Sequence, residues 1–173
     1  TYEILRSEQK KFLENLSQRT DINTGTLKDI RRLSMQISAR NQISGIVELI
    51  SNGTVNAEVY IKLKSGYTIV SVITNTAVSN LNLKLGDEVV AIFKSNTVLI
   101  TTDISLNISA RNKLQGKVDS INKGEINSEL IIDIGNGDKV ASIITSNSID
   151  NLKIKEGAQV SAIIKASDVM IGK

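Results

Sequence analysis

Ser38-Ala39-Arg40-Asn41 recurs as Ser109-Ala110-Arg111-Asn112, each time after an isoleucine. In an extended chain successive side chains alternate, so Ser38 and Arg40 share one face and Ala39 takes the other. That face presents a hydroxyl and a guanidinium, with backbone N–H groups nearby. Donors without a carboxylate make a poor metal site and a good oxyanion site. A doubly charged oxyanion needs several directed hydrogen bonds to replace its water shell, because an unpaired buried charge is very costly. Thr74 and Thr145 each close an apolar triplet, Val72-Ile73-Thr74 and Ile143-Ile144-Thr145, and Lys94 and Lys165 close two more apolar runs. A hydroxyl and an ammonium at strand ends are suitable companions for the serine and arginine around one anion. The same residues also fit a plainer arrangement, a solvated strand entry whose Asn caps a turn, with lysines that are ordinary edge charges. Spacing leaves both open.

The elements that hold these residues emerge from a repeat. Shifted by 71 positions, residues 37–102 fall on 108–173 without a gap, with 26 identities in 66 positions. Two copies are too few for a solenoid, and each is long enough to fold as a small barrel. In the first copy, residues 43–50, 56–63, 67–74, 88–94 and 98–101 are rich in β-branched residues and bounded by turn residues. Asn52-Gly53 and Lys64-Ser65-Gly66 are hairpin signals. Residues 76–83 form a short helical segment, and Gly86 ends the connection to the next strand. Five short strands with a helical insertion between the third and fourth fit an OB-like barrel. A barrel of this size is filled by its own side chains, so a ligand must bind on its surface or between barrels.

Residues 1–36 differ. Tyr2, Leu5, Phe12 and Leu16 share one helical face, with Gln9 in the missing seam position. Residues 20–25 break that helix, and Thr26 can cap a second over 27–35, with Asp29 at its third position. Two short amphipathic helices do not make a domain, so they should pack on the barrels or on another subunit. The chain thus divides into a helical segment, 1–36, and two barrels, 37–103 and 108–173. The fold expected is mainly β: two tandem OB-like five-stranded barrels preceded by two short helices.

Composition excludes much chemistry. The 173 residues contain no Cys, His, Trp or Pro. Zinc and iron–sulfur sites, disulfides, thiol nucleophiles and Ser-His-Asp triads lose their usual parts. The carboxylates look scattered over turns and exposed strand positions, which argues against paired acid–base work. A net charge of +3 is too mild to indicate nucleic acid. No apolar run approaches the roughly 20 residues that cross a bilayer, and no signal-peptide pattern opens the chain. The expectation is a cytoplasmic protein that is not an enzyme and has no membrane contact.

The spaced pattern, SARN with Gly45 or Gly116 shortly after, then VIT or IIT, then L-x-x-G, then V-x-A-x-x-K, resembles the Mop, or TOBE-like, domain that binds molybdate and tungstate. Two in tandem form the di-Mop unit of molbindins and of ModE-type molybdate-responsive transcription factors. Residues 30–36, just before the first SARN, resemble the helical linker of the ModE type. The resemblance implies oxyanion sites at inter-barrel and subunit interfaces of a homodimer. DNA would be contacted only through an upstream winged helix-turn-helix, which these residues do not include. Molybdate or tungstate would be the bound ligand, with no organic cofactor and no direct protein–metal ligand. Carried over by position, the binding groups are Ser38, Arg40, Thr74, Lys94, Ser109, Arg111, Thr145, Ser148 and Lys165. Ala77 stands where the second copy has Ser148, so the first site lacks one hydroxyl or uses Thr76 or Ser95 instead. Both copies are expected to contribute binding groups.

Rival readings use the same residues differently. A molbindin-like storage protein would need the sites but no linker. A transporter ATPase would need a phosphate-binding Gly-x-x-x-x-Gly-Lys-Ser/Thr loop, which is missing. An OB-fold nucleic-acid binder would need aromatic stacking platforms, and the chain has three Tyr and two Phe.

Overall fold

The structure, a computed structural model, describes residues 36–173. The helices expected over 2–16 and 27–35 lie outside the described residues. The first repeat runs β1 (Asn41–Asn52), β2 (Asn56–Leu63), β3 (Thr68–Thr74), α1 (Asn75–Asn80), β4 (Glu88–Phe93), a 3₁₀ turn η1 (Ser95–Thr97) and β5 (Leu99–Thr101). The second follows the same order: β6 (Asn112–Lys123), β7 (Asn127–Gly135), β8 (Asp138–Thr145), α2 (Ser146–Asn151), β9 (Gln159–Ile164), η2 (Ala166–Asp168) and β10 (Met170–Gly172).

β1 is longer than its apolar pattern predicts because it pairs with two neighbours. Its first residue, Asn41, faces Phe93 of β4, and its last, Asn52, faces Ala57 across the β1–β2 hairpin. The helical segment is shorter than predicted. Asn82 adopts φ 47°, a left-handed conformation that asparagine tolerates better than most residues and that cannot continue a helix. Gly45 is fixed by close approach: a Cβ there would lie 2.5 Å from Ile61 Cγ2 and 2.6 Å from the Lys62 carbonyl oxygen.

Period-two alternation fills each barrel. Val59, Ile61, Ile69, Ala91 and Phe93 are fully enclosed in one, and Leu130, Ile132, Val140, Ala162 and Ile164 in the other. Each sheet has the expected five strands, but they are not the five of one repeat. The sheet orders are β10-β4-β1-β2-β3 and β5-β9-β6-β7-β8. The fifth strand of each repeat therefore completes the other repeat's sheet: Leu99 pairs with Ile163, and Met170 with Ile92. Each exchanged strand also packs against the far edge of its new sheet, β10 against β3 and β5 against β8, which brings five strands round into a barrel.

Candidate functional site

The SARN segments enter β1 and β6, and the predicted alternation holds. Ser38 and Arg40 are exposed while Ala39 and Asn41 are buried; Ser109 and Arg111 are exposed while Asn112 is buried. Asn41 does not cap a turn. Its Nδ2 donates to the Ala141 carbonyl at 2.8 Å and its Oδ1 accepts from the Ala141 N–H at 2.7 Å. Asn112 does the same to Val70, accepting from its N–H at 2.7 Å and donating to its carbonyl at 2.8 Å. Val70 and Ala141 sit on β3 and β8, the edge strands of the two sheets, where buried backbone groups lack a neighbouring strand. Each amide supplies the missing partner, so the last residue of SARN closes the other barrel's edge. Ser71 and Ser142 add a buried hydroxyl each, donating to the Val169 and Val98 carbonyls at the start of the exchanged strands.

The arginines also reach across. Arg40 Nη2 lies 3.0 Å from both carboxylate oxygens of Glu129 on β7. Arg111 Nη1 donates to Glu58 Oε1 on β2 at 2.8 Å, and its Nη2 to Tyr60 Oη at 3.0 Å. Tyr60 in turn donates to Glu58 Oε2 at 2.8 Å, and the guanidinium stands 6.0 Å from the centre of its ring. The hydrogen bond from the Tyr60 hydroxyl, helped by the Arg111 charge, holds the Glu58 carboxyl below its ordinary pKa against an opposing desolvation. The Tyr60 contact and the Glu58 charge raise Arg111 above its own. Glu58 and Glu129 are identical across the repeats, and that identity was the available signal. As isolated outward strand carboxylates, they read as solvated surface.

The remaining predicted residues fall at the same ends of the sheets. Because Asn41 faces Phe93, Arg40 enters beside Lys94 and Ser95, which follow β4. Lys94 and Lys165 are exposed, whereas Ser95 is buried at the start of η1, and η1 packs against β8 of the other repeat. Thr74 is the N-cap of α1: its hydroxyl oxygen accepts from the Ala77 N–H at 3.1 Å. Thr145 caps α2 likewise through the Ser148 N–H, and its hydroxyl lies 2.7 Å from that of Ser148. A capping hydroxyl spends its oxygen as acceptor and keeps its proton to donate. Thr76 is exposed beside it. The predicted residues therefore group across repeats: Arg40, Lys94 and Ser95 with the Glu129, Thr145 and Ser148 side of the second repeat. At the other end Arg111 and Lys165 stand with Glu58, Thr74 and Ala77. Glu129 faces Ile143, two residues before Thr145, and Glu58 faces Val72, two before Thr74. No group of three or more Asp or Glu that could hold a metal ion occurs among the described residues.

A family model described as the TOBE domain matches residues 37–100 and again 108–171. The chain belongs to the TOBE domain family. The chain is 37% identical, over 175 aligned residues, to the molybdenum transport protein ModE of Azotobacter vinelandii, an alignment that covers 98% of this chain and 65% of the relative. The molybdenum-pterin-binding protein MopA of Rhodobacter capsulatus is 34% identical over 146 residues, 84% of this chain and 55% of MopA. The cytoplasmic molybdate-binding protein ModG, in a crystal form with molybdate bound, superimposes with a TM-score of 0.77 at 42% identity, covering 80% of this chain and 99% of ModG. The TOBE chain thus spans just under two thirds of ModE and about half of MopA.

Proposed function

We propose that this chain binds molybdate or tungstate, as the ligand-sensing part of a molybdate-dependent transcriptional regulator. The likeness to ModG carries the reading: 42% identity over nearly all of a protein whose structure holds molybdate. The donor set supports it. Two arginines, two strand-end lysines and the hydroxyls of Ser38, Thr74, Ser95, Ser109, Thr145 and Ser148 are chemically suited to a tetrahedral dianion. Selectivity over sulfate, which carries the same charge, rests on the size of the enclosure. The chain acts by binding and catalyses no reaction, in the cytoplasm.

A storage role would use the same groups. The regulator reading is favoured because the match to ModE extends over 98% of the chain, including residues ahead of the repeats, whereas ModG aligns with 80% and MopA with 84%. In a homodimer, a ligand that binds one arrangement of the barrels better shifts the population toward it. The segment before Ser38 would pass that change to an upstream winged helix-turn-helix, which alone contacts DNA.

Calorimetric titration with molybdate, tungstate and sulfate, with light scattering for oligomeric mass, tests the proposal. Submicromolar binding of the first two, silence with sulfate and a dimer mass are expected. No heat with molybdate or tungstate would refute it.

A further inference from the structure

The two ends of the molecule hold their arginines differently. Arg111 is locked in a closed triangle in which it donates to Glu58 and Tyr60 while Tyr60 donates to Glu58, with all three contacts between 2.8 and 3.0 Å. The equivalent position to Tyr60 in the second repeat is Ile131, so among the described residues Arg40 meets Glu129 alone, through one nitrogen. We infer that Tyr60 and Glu58 are positioning residues that make the Arg111 end the weaker oxyanion site, so that the Arg40 end fills first. The inference rests on the proposed oxyanion function and goes beyond it by ranking the two ends.

Two observations carry it. A guanidinium has five N–H donors, and the triangle commits one from each terminal nitrogen to protein acceptors that an oxyanion would have to displace or share. Glu58 and Glu129 each set one negative charge against their arginine, so charge alone does not rank the ends; the Tyr60 hydroxyl does, by tying Glu58 and Arg111 into a closed ring. The hydroxyl inventory runs the same way once the repeats are paired crosswise. The Arg40 end has Ser95 and Ser148, whereas the equivalent residues at the Arg111 end are Ala166 and Ala77. An oxyanion there would lose its hydration and find two fewer donors.

The test is calorimetric titration of the whole chain with molybdate, comparing wild type with Arg40→Ala, Arg111→Ala and Tyr60→Phe. Tyr60→Phe keeps the ring and removes only the hydroxyl that completes the triangle. Two classes of site are expected in the wild type. Arg40→Ala should remove the tight class, and Arg111→Ala should remove only the weak one. Tyr60→Phe should tighten the weak class by about threefold to tenfold, the net worth of one ordinary hydrogen bond, and leave the tight class unchanged. Melting without ligand checks that each variant folds, and a general loss of stability would not move one class alone. Loss of the tight class in Arg111→Ala, equal losses in the two arginine variants, or a weak class unmoved or weakened by Tyr60→Phe would each overturn the ranking while leaving oxyanion binding intact. If the wild type binds neither molybdate nor tungstate, the proposed function fails and the ranking falls with it.

Discussion

The two repeats place one arginine at the same position and give it different company. Arg40 and Arg111 lead into equivalent strands and both reach a glutamate of the other repeat, yet among the described residues only Arg111 also meets a tyrosine. Asn41 and Asn112, one residue further on, show no such divergence: each makes the same two backbone bonds, with lengths that agree to 0.1 Å. The contrast separates two jobs within one four-residue phrase. The buried asparagine satisfies an edge strand, and that requirement is the same in both barrels. The exposed arginine answers to whatever the facing strand supplies, and that is free to differ.

The most damaging way to probe this comparison is through the asparagines. Replacing either by Leu leaves a buried N–H and a buried C=O without partners, at a cost of about 2–5 kcal/mol. Because the clamps are equivalent, urea unfolding should give closely similar losses for Asn41→Leu and Asn112→Leu. A loss below about 1 kcal/mol for either would mean that the backbone finds other partners.

A smaller effect is expected at the helix caps. Thr74→Ala and Thr145→Ala each remove an N-cap and should cost about 0.5–2 kcal/mol in thermal unfolding. In molybdate binding they should part company, with Thr145→Ala the more damaging because its hydroxyl stands with Ser148 at the Arg40 end. Equal binding losses would argue that the two ends are alike.

The smallest effect concerns the exchanged strands. Lys173, just after β10, donates to Asp87 Oδ2 and to the Asn82 carbonyl, both at 2.8 Å. The second repeat has Ala158 where the first has Asp87, so β5 has no such tie there. The Lys173 hydrogen bond, with the Lys84 N–H, lowers the Asp87 pKa below its ordinary value. A lowered folded pKa gives stability that is present above the unfolded value and lost as pH falls through the folded one. Amide exchange in β10 should therefore accelerate relative to β5 on acidification through the carboxylate range. In Asp87→Asn that pH dependence should be gone, and its persistence would assign it to another group.

Much of this was legible in the residues. The 71-residue repeat, the strand positions and the direction of the SARN side chains follow from identity, period-two alternation and turn chemistry, all of which act over a few residues. Gly45 and Gly116, paired across the repeats, proved to mark close strand approach. Other features were not legible. Asn41 had the look of a solvated turn residue because its partner, Ala141, is 100 residues away. Glu58, Glu129 and Tyr60 looked like outward-facing strand residues, which they are, and only the facing repeat gives them guanidinium partners.

By itself, then, the sequence determined that the described chain would form two five-stranded β units, each led by Ser-Ala-Arg-Asn with its serine and arginine outward. Local sterics and apolar periodicity suffice for that. It could not determine which sheet receives each fifth strand, because Val98-Leu99-Ile100 and Val169-Met170-Ile171 are nearly interchangeable and either would satisfy the same edge. The tertiary structure made that choice through the path of η1 against β8 and of η2 against β3, sealed by buried hydroxyls of Ser142 and Ser71. By interlocking the repeats it set Arg40 against Glu129 and Arg111 against Glu58 and Tyr60. Residues equivalent by descent thus became unequal by surroundings.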